Sequence, residues 1–211
     1  MAEARKSRTE RKKEETRKKI VAVAMELFNR QGFDRTTVDR IAAEADVARG
    51  TVFNHFPVKE AIVGEYLRRA VSGIEAQAVP FYQSLPDTRT RLATAFRLTL
   101  EWSESHLNRD LYERYFVYRM QTVIQSVRDP GLRSGFARIL SCIMKLGQEA
   151  GELRLDIGPE ELADHLDWAW ASGVIVWLAQ PDKFTADIVI DRMVDMFLNG
   201  ARSGRQGENA G

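Results

Sequence analysis

The stretch TTVDRIAAEADVARGTVFNHFPVKEAIV, residues 36–63, constrains the fold more than any other part of the chain. Val38, Ile41, Ala42 and Ala45 repeat at i, i+3, i+4 and i+7, the spacing of one buried helical stripe. Thr36 or Thr37 supplies an N-cap, and Asp39 adds a negative charge to the first turn. After a tight turn, a second short helix over 49–56 buries Val52 and Phe56 and leaves Arg49, Thr51, Asn54 and His55 outward. A third helix starts at Pro57, a favoured first-turn residue. The pattern is a helix-turn-helix whose second helix faces solvent.

A helix of that length is a rod of roughly 12 Å, short enough for a major groove about 12 Å wide. A plain αα-hairpin has the same apolar spacing, so the outward side chains carry the argument. Arginine and asparagine make bidentate contacts to guanine and adenine. Arg49, Thr51 and Asn54 are therefore the candidates for base edges. Thr37, Phe53, His55 and Lys59 are expected to pack on or bond to the DNA backbone, with Gly50 on the same face.

The run GFDRTTVDRIAAEADVARGTVFNHFPVKEAIV, residues 32–63, resembles the DNA-binding domain of the tetracycline-repressor (TetR) family of bacterial transcriptional regulators. The likeness covers roughly residues 10–65, and it departs from the family pattern at three places. Asp46 stands where the turn usually has Gly, and a non-glycine residue adopts left-handed angles only at some cost. Ala48 stands where a serine usually caps the recognition helix. Phe53 replaces a Tyr and has no hydroxyl to offer a phosphate.

Charge divides unevenly along the chain. The net charge is +1, from 31 Lys and Arg against 30 Asp and Glu, yet residues 1–60 hold 14 basic and 10 acidic groups. A basic head on a mildly acidic body suits a DNA-facing end. Cys142 is the one cysteine, so no intrachain disulfide forms, and its apolar surroundings (RILSCIMKL) favour a buried structural thiol. The charged N-terminus lacks the apolar core of a signal peptide, and no apolar run reaches 18 residues. A soluble, cytoplasmic protein without a membrane partner is expected.

The fold class expected is all-α: a three-helix DNA-binding head over 10–63, preceded by a basic arm (1–9), and a larger helical ligand-binding and dimerisation body over 64–200. Arg5, Lys6, Arg8, Arg11, Lys12 and Lys13 form the arm, and residues 1–8 and the tail 201–211 are expected to be disordered. The first helix runs from near Glu10 to Gln31, with Gly32 as a left-handed stop and Phe33 as a hydrophobic plug. The helix from Pro57 continues to about Val79, ahead of Pro80, and ties head to body. Five more helices follow: Asp87 to His106, Asn108 to near Val127, Asp129-Pro130 to near Gly151, Pro159 to Ala179, and Thr185 to Asn199 with Gly200 as stop. No segment longer than a few residues alternates with period 2, so no sheet is expected.

HLDWAWASGVIVWLA is apolar on nearly every side and must be buried all round, either as a central core helix or between subunits. The resemblance implies a four-helix homodimer interface from the last two helices, with Trp170, Gly173, Val174, Trp177, Met193 and Phe197 in it. It also implies a small-molecule cavity in the body. Trp102, Tyr115, Tyr118 and Phe136 are the expected walls and His106 a polar contact, with Arg119 and Gln148 near the interior; the effector would be largely apolar.

Enzyme chemistry finds no footing. His55, His106 and His165 lie far apart and form no HExxH-like set, and no GxSxG, P-loop or GxGxxG motif is present. Neither a cofactor nor a metal is expected. The reading is a ligand-responsive repressor that binds an inverted-repeat operator as a dimer. Two others stay open: a helical ligand-binding or interaction protein that does not read DNA, and a helix-turn-helix regulator controlled by a protein partner.

Overall fold

Ser7 starts the first helix with a capping box. Its hydroxyl accepts from the Glu10 N–H, and the Glu10 carboxylate accepts from the Ser7 N–H. The computed structural model describes residues 7–129, 135–180 and 182–200, and of residues 74–76 and 127 the backbone alone. These residues form ten α-helices and no strand: α1 (Arg8–Gln31), α2 (Val38–Glu44), α3 (Arg49–His55), α4 (Glu60–Gln83), α5 (Thr88–His106), α6 (Arg109–Gln121), α7 (Val123–Arg128), α8 (Phe136–Glu149), α9 (Pro159–Ala179) and α10 (Ala186–Asn199). Arg5, Lys6, Pro130 and the tail 201–211 lie outside the described residues.

Several expectations are corrected. Arg8, Arg11, Lys12 and Lys13 belong to α1 rather than to an arm ahead of it. Gly32 has a positive φ of 88°, but its ψ of 157° is extended, so it ends α1 without a left-handed helical turn. Phe33 is the buried plug expected, its ring 4.8 Å from that of Phe28. The fourth helix begins at Glu60, after Pro57, and runs through Pro80 to Gln83. Pro80 lacks an N–H for the helix ladder, and only three helical residues follow it, so little of the helix lies beyond the break. Arg91 of α5 steadies that end, donating from Nε to the Tyr82 carbonyl and from Nη2 to that of Leu85. Thr122, at φ −103° and ψ 9°, interrupts what reads as one helix and separates α6 from α7.

The described residues group into two units. One holds those up to Val71 and from Leu107 to Asp129; the other holds those from Ser72 to His106 and from Gly135 to Gly200. The helix-turn-helix unit thus takes in α6 and α7 along with α1–α3 and the first half of α4. Its core is Ile20, Val21, Ala24, Leu27 and Phe28 of α1 with Ile41, Val52, Phe56, Ile62 and Val63.

In the other unit α5, α8, α9 and α10 pack together around Phe96, Leu140, Ile143, Met144, Leu166, Trp170 and Val174. Gly147 on α8 is a tight spot. A Cβ there would stand 2.4 Å from Thr88 Oγ1 and 2.8 Å from Leu153 Cδ1. Gly147→Ala is therefore expected to destabilise this unit by about 1–3 kcal/mol. All four tryptophans lie in it, so urea unfolding followed by tryptophan emission reads the effect. An unchanged midpoint would show that the site relaxes freely.

Candidate nucleic-acid interface

Thr37 caps α2, its hydroxyl accepting from the Arg40 N–H at 3.1 Å. The turn to α3 closes through Asp46, whose φ of 50° is the one positive value at a non-glycine residue among the described residues. The Val47 N–H then donates to the Ala42 carbonyl at 3.0 Å. Ala48 sits at the N-cap of α3 and supplies no side-chain acceptor. The two departures read from the sequence are thus visible as geometry.

On α3, Val52 is buried, while Arg49, Gly50, Phe53 and Asn54 are exposed and Thr51 and His55 half-buried. Arg49 Nη1 lies 3.3 Å from Asp39 Oδ1 on α2, and its guanidinium sits 5.5 Å from the Phe53 ring centre. That ion pair is exposed at both ends, so it steadies the side chain while costing little to exchange for another acceptor. Glu44 accepts from Arg30 at 2.9 Å and Arg40 at 2.8 Å, joining α2 to α1. A Cβ at Gly50 would meet nothing within 4 Å, so packing inside the chain does not call for glycine there.

Two residues expected at the DNA backbone are engaged within the protein. Burial pushes the His55 imidazole below its usual pKa, and the charges of Arg17 and Lys13 add to this. Its Nδ1 is buried without a hydrogen-bond partner among the described residues. Lys59 Nζ donates to the carbonyls of Phe33 (2.7 Å) and Thr36 (2.8 Å), 4.2 Å from the Phe33 ring centre. Two of the three ammonium protons thus hold the α1–α2 turn, a structural task beside the DNA-backbone contact expected of Lys59. Lys59→Ala is expected to lower stability by about 1.5–3 kcal/mol and to weaken DNA binding as a consequence. Circular-dichroism melts beside a salt titration check this. Unchanged stability with a salt slope flattened by one charge would leave the phosphate contact as its only task.

The expected ligand residues divide between the units. In the head unit Tyr115 is buried against Phe116, while Tyr118 lines a cavity of about 590 Å³ with Val58, Glu60, Asp110, Arg114 and Val117. Arg114 donates to Asp110 and Asp34 and covers the Phe33 ring at 4.8 Å, so α6 also braces the α1–α2 turn. In the other unit Phe136 is a core residue, edge-on to Phe96 at 5.4 Å, with Trp170 on Phe96 at 4.7 Å. Trp102 and the exposed His106 stack at 4.3 Å, and His106 Nδ1 lies 2.8 Å from the Trp102 carbonyl. Gln148 donates to the carbonyls of Arg154 and Ile157 and so holds the loop after α8. Packing and backbone bonding account for Phe136, His106 and Gln148 without a ligand.

The expected dimer residues also divide. Trp170, Val174 and Met193 are 3%, 1% and 7% exposed, buried inside the chain itself and closed to a partner. A Cβ on Gly173 would lie 2.8 Å from Val189 Cγ1, so that glycine allows α9 and α10 to approach. Trp177 and Phe197 are half-buried. The exposed apolar side chains of these helices are Ile175, Val176, Ile188 and Met196, of which only Ile188 belongs to the apolar stripe read from the sequence.

Residues 20–66, from α1 through α2 and α3 into α4, match the family model described as bacterial regulatory proteins, tetR family. The chain thus carries a DNA-binding head of the tetR family. It is 27% identical over 164 residues to the HTH-type transcriptional repressor DhaR of Mycobacterium sp. strain GP1, covering 75% of this chain and 80% of that protein. It is 26% identical over 192 residues to the repressor KstR2 of Rhodococcus jostii RHA1, covering 89% and 91%. Among solved structures it is similar to Thermus thermophilus FadR, a TetR-family repressor crystallised with lauroyl-CoA, at 25% identity and a TM-score of 0.76 over 92% of this chain and 99% of that one. The chain is a DNA-binding transcriptional regulator. No helix among its described residues is long and apolar enough to cross a membrane.

Proposed function

We propose that this regulator is a homodimeric repressor of the TetR family, without catalytic activity, that is released from an inverted-repeat operator by a ligand carrying a long apolar chain. The carrying observation is the likeness to the Thermus repressor, which extends over nearly the whole chain rather than the head alone. Lauroyl-CoA bound to that protein makes acyl-CoA thioesters the first ligands to test. Arg49, Gly50, Thr51 and Asn54 face the bases, with Thr37 and Phe53 at the DNA backbone. The open space beside Gly50 supports a close approach of DNA there.

A ligand releases DNA only if it binds more tightly to a conformation that DNA disfavours. Helix α4 begins in the unit that carries α3 and ends in the other, so the ligand acts by moving it. The expected coupling is about 1–3 kcal/mol, or 5- to 150-fold in operator affinity. Linkage requires operator to weaken ligand binding by the same factor. Titrating lauroyl-CoA, with free CoA as control, against the protein with and without operator decides the matter. Equal affinities in the two titrations would rule the mechanism out, and no binding at any acyl length would rule out the ligand class.

A further inference from the structure

A carboxylate lies buried among the basic residues of the head. Glu65, in the second turn of α4, is 4% exposed and is reached by three arginines. Arg17 Nη2 of α1 donates to its Oε2 at 3.0 Å, Arg69 Nε lies 2.7 Å from its Oε1, and Arg68 also pairs with it. Arg69 in turn donates to Glu14 of α1 at 2.7 Å. The pairs therefore bind α4 to α1 by two routes.

The network continues to α3. The Arg17 guanidinium carbon stands 4.6 Å from the centre of the Phe56 ring. Phe56 is 2% exposed and ends α3, its N–H bonded to the Val52 carbonyl at 2.8 Å. Two terms hold Arg17 in place: the Glu65 carboxylate and the face of that ring. Buried charge is weak evidence for stability, because apolar residues of similar volume serve as well. What charge adds is direction, since apolar attraction is non-directional.

We propose that Glu65 is a positioning residue for DNA recognition: it holds Arg17 against Phe56 and so sets the angle of α3 relative to α4. The inference rests on α3 being the recognition helix and names what orients it. Because Glu65 and Arg69 stand on α4, a displacement of α4 passes through Arg17 to the end of α3.

The test compares full-length variants on two duplexes of equal length: one selected by the wild-type protein from a randomised pool, and a scrambled one. Glu65 is buried, and Glu65→Gln removes a negative charge. An electrostatic effect alone would tighten both duplexes. Positioning instead weakens the selected duplex and leaves the scrambled one unchanged or tighter, so the ratio of the two affinities falls by about tenfold or more.

Arg17→Met keeps the aliphatic stem and loses the guanidinium, and the same fall is expected; Arg17→Lys keeps the pair and should hold the ratio within about threefold. Arg17 is partly exposed, so if Glu65→Gln fails to fold, the two Arg17 variants decide. A merely structural weakness lowers both affinities together and leaves the ratio intact. Arg49→Ala is the reference. Loss of discrimination there, with none in Glu65→Gln or Arg17→Met, overturns the positioning role. Retained discrimination in Arg49→Ala overturns the recognition-helix reading itself.

Discussion

Val176→Glu and Met196→Glu are expected to leave the protomer folded and to lower operator affinity by about 10²–10⁴-fold, the avidity lost when two linked heads become one. Both side chains are exposed, at 39% and 60%, on the helices proposed for the dimer. The roll of α10 follows from its acidic row: Asp187 and Asp191 accept from Arg97 at 2.8 and 3.0 Å, and Asp195 from Arg89 at 2.6 Å, all toward α5. Ile188 and Met196 lie on the adjacent row. A two-fold dimer reading half-sites one helical turn apart needs recognition helices about 34–36 Å apart, which only a fixed interface provides.

Light scattering and DNA titration should show monomers together with the lost affinity. Wild-type protein that is monomeric at micromolar concentration yet binds operator tightly would refute the dimer. Val174→Asp is the wrong variant for this purpose: Val174 is 1% exposed, and a charge there unfolds the core instead.

Arg49→Ala and Asn54→Ala should each weaken operator binding by about 1–3 kcal/mol and relax preference at particular base pairs. Neither should alter folding. Both residues are exposed, and the Arg49–Asp39 pair, 63% and 64% exposed, contributes little. Binding to a panel of single-base operator variants separates this from a phosphate role, which would weaken every variant alike and flatten the salt slope. If Arg49→Ala left affinity and preference unchanged, α3 would not be reading bases through that residue.

Local rules were enough for much of the head. The Val38/Ile41/Ala42/Ala45 spacing and the Thr37 cap depend only on neighbours within a turn or two, and those neighbours are adjacent in sequence; Asp46 stood out only against the family pattern. The same holds for the caps at Asp87, Asn108 and Thr185 and for the bounds of α9. The Arg17–Glu65 link left a fainter trace. Arg17 precedes Ile20 and Val21 on the buried stripe of α1, and Glu65 follows Ile62 on that of α4, so each charge interrupts a run that continues apolar. Such interruptions show that a charge is buried without showing its partner, because Arg17 and Glu65 are far apart in the chain.

Sequence by itself determined the all-helical class, the helix-turn-helix and the outward face of α3, since each follows from short-range periodicity and capping. Tertiary structure alone decided which side of α9 is buried and which residues of α10 close against it. A helix apolar on nearly every side has no polar face to orient it, and Trp170, Val174 and Met193 turned inward where the sequence left them free to face a partner. It also decided the task of Lys59, whose ammonium finds two carbonyls more than twenty residues away in the chain. Hydrogen bonds at that sequence distance depend on how α1, α2 and α4 pack, and no local pattern encodes that packing.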